Sequence, residues 1–183
     1  MKGEQKNVSK ATKQVAEKLK DEAAKGYEEA AANIVKKGVL PQEALGMDDQ
    51  MLEGIYGQAY RLYNTGKYGE AGQIFRLLIM VNSMEPKYSM GLAACFHMLK
   101  EYKNAIDTYT LCSIIDPDNP VPQYHISDCY IQMSDQVSAI IALKMAIKRA
   151  GTNPDFKTLV DRAKLTIESL KKGLKGDQKK KDT

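Results

Sequence analysis

The chain of 183 residues has no tryptophan, only three phenylalanines and only two histidines. It lacks any run of about 18 apolar residues, the length that crosses a membrane as a helix, so no membrane insertion is expected. The opening MKGEQKNVSK has no apolar stretch behind it, which argues against a secretory signal peptide. Cys95, Cys112 and Cys129 form no CxxC pair and read as reduced thiols of a cytosolic protein. There is no glycine-rich phosphate loop, no HExxH and no zinc spacing. Cys95 and His97, two apart on a helix, point to different sides. These absences leave no catalytic residue, no metal ligand set and no cofactor to expect, and the chain reads as a binder rather than an enzyme.

The net charge of +4 is unevenly spread. Residues 1–25 hold seven Lys against four acids, and residues 171–183 hold six Lys against two. The stretch 26–170 is mildly acidic, with 14 basic and 17 acidic residues. No arginine or aromatic residue interleaves with the terminal lysines, so they read as solvated ends and not as nucleic-acid arms.

What the chain does have is a 34-residue period. Ala71, Ala105 and Ala139 are 34 apart, as are Ala59, Ala93 and Ser127. Bulky positions recur as Phe75, Tyr109 and Leu143, and as Leu62, Phe96 and Tyr130. Ser83, Pro117 and Gly151 punctuate the ends of the units, while Tyr68 and Tyr102 share a position from which Gln136 departs. Small residues belong where two antiparallel helices cross closely, and large ones fill the space between hairpins. A 34-residue unit with two helical patterns is the tetratricopeptide repeat (TPR), and three units suffice for a stack. The expected fold is therefore all-α, a solenoid of three helix hairpins. Helix pairs are expected near 49–64 and 68–83, 87–99 and 102–115, and 121–133 and 136–150, within repeats of about 52–85, 86–119 and 120–153.

The flanks follow. Asn153-Pro154 opens a last helix with the apolar stripe Phe156, Leu159, Val160, Ala163, Ile167, Leu170 and Leu174. This helix, 155–172, should cap the open end of the stack, leaving 173–183 as a disordered basic tail. Upstream, 27–37 reads as a short amphipathic helix ended by Gly38, with an Asp of Met47-Asp48-Asp49 capping the first repeat helix. Residues 1–25 carry only the thin stripe Val8, Val15 and Leu19 and read as a flexible segment before a domain spanning 26–172.

The first helix of each hairpin lines the concave side of such a stack. Helical periodicity puts Tyr56, Tyr60 and Tyr63 there from the first repeat, Met90, Ala94, His97 and Met98 from the second, and Tyr124, Asp128 and Ile131 from the third. An aromatic and thioether groove with few charges suits an extended peptide, because such side chains bury much area and adapt easily. His97 is placed to donate a hydrogen bond to a guest or to a neighbouring side chain. A clamp for a C-terminal carboxylate would need Lys, Asn and Arg where Tyr56, Tyr60, Gly91, Val121 and His125 stand, and is excluded.

With the repeats placed, residues 27–150 resemble the class II type III secretion chaperones, the LcrH/SycD/IpgC group. The resemblance lies in LEGIYGQAYRLYNTGKYGEA (52–71), in GLAACFHMLKEYKNAI (91–106) with DPDNP following, and in the lead-in NIVKKGVLPQEALGMDDQM. It implies a cytoplasmic bacterial chaperone that takes an extended P-x-L-x-x-P segment of a hydrophobic translocator into the groove without ATP. It also implies a homodimer to which the N-terminal helix contributes, here through Ile34 and Val35. A structural TPR adaptor in a multiprotein assembly is the alternative, and an RNA-associated TPR protein a third.

Overall fold

The computed structural model describes residue 25 and residues 41–181. The expected helix over 27–37, with Ile34 and Val35, lies outside the described residues, as does nearly all of 1–25. The chain divides into two compact units, residues 1–52 and 53–183.

In the first unit a single-turn helix, α1 (Pro41–Ala44), opens on a proline, whose fixed φ and missing N–H suit a first helical position. Asp48 then caps the next helix, its Oδ1 accepting from the Met51 N–H at 2.7 Å. That helix, α2 (Asp49–Asn64), leads into the second unit.

There the helices run α3 (Tyr68–Val81), α4 (Pro86–Met98), α5 (Tyr102–Ile115), α6 (Val121–Gln132) and α7 (Gln136–Ala150). A 3₁₀ turn (Pro154–Phe156) precedes the closing helix α8 (Lys157–Lys181). Each boundary of the six repeat helices falls within two residues of the expectation. The reason is local. The turn inside each hairpin needs one residue with left-handed backbone, and Gly66, Lys100 and Ser134 supply it at φ 79°, 61° and 62°. These three positions are again 34 apart, although only the first is a glycine, the residue that adopts this conformation without steric cost.

The small repeat positions are where the helices meet. Ala59, Ala71, Ala93, Ala105, Ser127 and Ala139 are all fully buried. Around Ala93 and Ala105, a core of Tyr109, Ile126, Cys129 and Ala142 is flanked by Met90, Phe96, Tyr102 and Tyr130. A second core joins Ile140 and Leu143 of α7 to Ala163 and Ile167 of α8, with Leu170 and Leu174 packed against it. The stripe expected on the last helix thus does cover the end of the stack.

One expectation is corrected. The chain does not leave helical structure at Gly173; α8 continues to Lys181. An existing helix elongates without a new nucleation cost, and lysine and glutamine are good helix formers, so the glycines of GLKGDQKKK do not stop it.

Candidate peptide groove

The leading helices α2, α4 and α6 carry the expected row. Tyr60 and Met98 are about half exposed, at 52% and 48%. Tyr56, Tyr63, Met90, Ala94, His97, Tyr124, Asp128 and Ile131 are all half-buried. Partial burial is what a groove wall requires: the side chain is fixed by neighbours yet keeps a face to offer.

At the first-repeat end, Tyr56 organises the wall. It stacks on Tyr60 at 6.3 Å between ring centres, meets the edge of Phe75 at 5.9 Å and lies 6.0 Å from Tyr88. The Lys87 ammonium sits 5.1 Å from the Tyr56 ring centre and 5.6 Å from that of Tyr88, a cation–π arrangement. Lys87 also pairs with Glu53, exactly one repeat earlier in the chain, and this bond raises its pKa. Burial raises the Tyr56 phenol, opposed by the Lys87 charge. Tyr63 packs edge-on to Tyr68 at 5.2 Å, and burial raises its pKa too.

The other end is built around the two histidines. His97 lies edge-on to Tyr102 at 5.9 Å, Tyr109 at 6.3 Å and His125 at 6.3 Å. His125 stacks on Tyr109 at 5.3 Å and meets Tyr124 at 6.0 Å. Its Nδ1 stands 3.5 Å from Asp128 Oδ2. Burial lowers the His97 pKa, with Asp128 opposing and His125 adding to the fall. Burial also pushes the Tyr109 phenol well above its usual range. Met90 packs on the core beside it, whereas Ala94, Met98 and Ile131 are not part of the ring contacts.

Sequence reasoning named Tyr56, Tyr60, His97, Tyr124 and Asp128 for the groove, passed over Lys87 and Tyr88, and read Tyr109 only as a filler between hairpins. His125 was weighed only as a carboxylate-clamp position. A signal existed for it: Gly57, Gly91 and His125 occupy one repeat position, so a ring appears in the third unit where the first two carry none. Cys95 and Cys129 are buried and their thiols are pushed up to about 11, which keeps them protonated and unreactive near neutrality.

The tetratricopeptide repeat model matches residues 52–80 and 86–119, the first two units. Low calcium response locus protein H of Yersinia pseudotuberculosis is 27% identical over 145 residues, covering 79% of this chain and 86% of that protein. Among solved structures, the Yersinia enterocolitica type III secretion chaperone SycD, in complex with a peptide of the translocator YopD, superposes with a TM-score of 0.65 at 27% identity. That match covers 68% of this chain and 95% of SycD. In sequence and fold the chain is similar to the LcrH/SycD type III secretion chaperones. Pseudomonas aeruginosa PcrH, in complex with the chaperone binding region of PopD, also matches, with a TM-score of 0.66 at 28% identity. It covers 69% of this chain and 95% of PcrH. The third repeat lies outside the repeat-model match, in keeping with its departures at Ser127 and Gln136.

Proposed function

We propose that this protein is a cytoplasmic, non-enzymatic chaperone that binds an extended segment of a hydrophobic type III secretion translocator. The groove residues are Tyr56, Tyr60, Tyr63, Met90, Ala94, His97, Met98, Tyr124, Asp128 and Ile131, within a chaperone domain over about 26–172. The protein works as a homodimer joined through Ile34 and Val35 and uses no cofactor. The observation that carries this reading is the half-buried ring row on the leading helices of all three hairpins. Its relatives SycD and PcrH were solved with a peptide of YopD and with a region of PopD, which supports the same use here. A translocator carries membrane-seeking stretches that aggregate in water, and a bound groove that masks them shifts that equilibrium without chemistry.

The test is a fluorescence-anisotropy titration of the full chain with the labelled chaperone-binding region of PopD, repeated across salt. Saturable binding with little salt dependence is expected, because apolar rings carry the contact. Binding of RNA instead, falling steeply with salt, would replace this reading with the nucleic-acid one.

The adaptor alternative has one observation of its own. Leu77, Leu111 and Met145, one repeat apart on the second helices, are each between 43% and 49% exposed, and Ile114 is 70% exposed. If the protein is an adaptor, Leu111→Asp should abolish partner capture while peptide binding persists.

A further inference from the structure

The two histidines are the only ones in the chain, they come from different repeats, and both meet in the groove. His97 on α4 and His125 on α6 share the ring of Tyr109, 6.3 Å and 5.3 Å from its centre. The groups around them can be named element by element. The second helix of the His97 hairpin, α5, presents Tyr102 and Tyr109, and α2 brings Tyr63 near Tyr109. From α6 come Tyr124 and the carboxylate of Asp128. Tyrosines stay neutral at physiological pH, so the charged group acting on His97, besides His125, is Asp128.

One carboxylate cannot compensate two imidazolium ions. Protonation of either ring is tolerable, with Asp128 3.5 Å from His125 Nδ1. Protonation of both places like charges face to edge in a half-buried aromatic wall, where poor solvation strengthens repulsion.

We propose that His97 and His125 form a proton-responsive pair, which keeps the groove apolar while neutral and loosens a bound client when both rings take up protons. The inference rests on the chaperone reading above. A client lying over the pair removes water from both rings, so the bound state disfavours their protonation further. Each further unit by which client binding lowers an imidazole pKa weakens binding by up to about tenfold, reached once the pH is below the client-bound value. Histidine is the side chain whose ordinary pKa makes such a response available near neutrality. The lowered His97 pKa agrees with this: its neutral form is already favoured in the empty groove.

The experiment has two arms on the full chain. Carbon-edited NMR follows the two imidazoles from about pH 5 to pH 8, with one signal set for each histidine. In His125→Gln the His97 pKa should rise, because a like charge is removed, and in Asp128→Asn it should fall. An unchanged His97 titration in His125→Gln overturns the pair. The second arm measures affinity for the PopD chaperone-binding region at about pH 7.5 and about pH 5.5. The wild type should bind at least about threefold more weakly at the lower pH, and His97→Gln/His125→Gln by less than about twofold. Equal acid weakening in the double variant overturns the proposal. Absence of peptide binding at both pH values instead contradicts the chaperone reading and with it the release step, while the NMR arm still decides whether the rings are coupled.

Discussion

The seam between the first and second hairpins and the seam between the second and third use the same repeat positions with different chemistry. At the first, Phe75 of α3 faces Gly91 of α4; at the second, Tyr109 of α5 faces His125 of α6. Phe75 lies so close that a Cβ on Gly91 would come within 2.4 Å of its ring carbons. The first seam is therefore sealed by backbone approach, and the Tyr56 wall beside it is held by rings and the Lys87–Glu53 pair. In the second the gap is filled by an imidazole that stacks on a phenol and reaches a carboxylate. One end of the groove thus holds no histidine, and the other holds both. A repeat conserves geometry through its small positions and leaves chemistry free to differ where side chains meet between hairpins.

The comparison breaks first at Gly91. Gly91→Ala should cost about 3 kcal/mol, the upper range for overpacking, because the ring of Phe75 must move. Gly57→Ala, one repeat earlier with nothing within 4 Å of an added Cβ, should be neutral or gain about 0.5–1 kcal/mol from helix propensity. Urea melts of the two variants decide it, and equal effects would remove the contrast between the seams. Ala105→Leu, at a fully buried crossing in the core that the second seam shares, should cost about 1–3 kcal/mol. A melting temperature equal to wild type would contradict the repeat register.

Smaller effects sharpen the comparison. The lowered pKa of His97 means the unfolded chain binds more protons in the window below the ordinary histidine value. The stability due to this residue is therefore present above that value and is lost as pH falls from it through the lowered folded pKa. Unfolding free energies should decline over this window in the wild type and less so in His97→Gln. A Tyr56→Phe variant at the first seam should keep the wild-type slope. Smallest are the turns. Lys100→Gly and Ser134→Gly, at left-handed positions where the first hairpin already has Gly66, should each gain about 0.5 kcal/mol. A loss in either would mean the side chain contributes more than its backbone costs.

The hairpins were legible because three independent positional series, at Ala71, Ala59 and Phe75 and their counterparts, fix both period and register. The placement of the predicted row on the leading helices was legible for the same reason, since helical spacing follows once the register is known. The end of α8 was not. Gly173 and the lysines after it look like a stop, and nothing local tells a reader that helix propagation outweighs two glycines. The histidine cluster was hidden differently. His97 and His125 are 28 residues apart, and only the stacking of α4, α5 and α6 around Tyr109 brings their rings together. Lys87 escaped notice because its partner Glu53 and the ring of Tyr56 belong to another helix, α2.

The central claim is that the ring row on the leading helices holds the client. Tyr60 tests it best, being 52% exposed and stacked on Tyr56 rather than buried in the core. Tyr60→Ala should weaken binding of the PopD chaperone-binding region by about 2 kcal/mol, roughly thirtyfold, the usual cost of losing an aromatic anchor. Its circular dichroism spectrum should match the wild type. Affinity equal to wild type, or loss of helical signal in the variant, would contradict the assignment of this row as the client-binding wall.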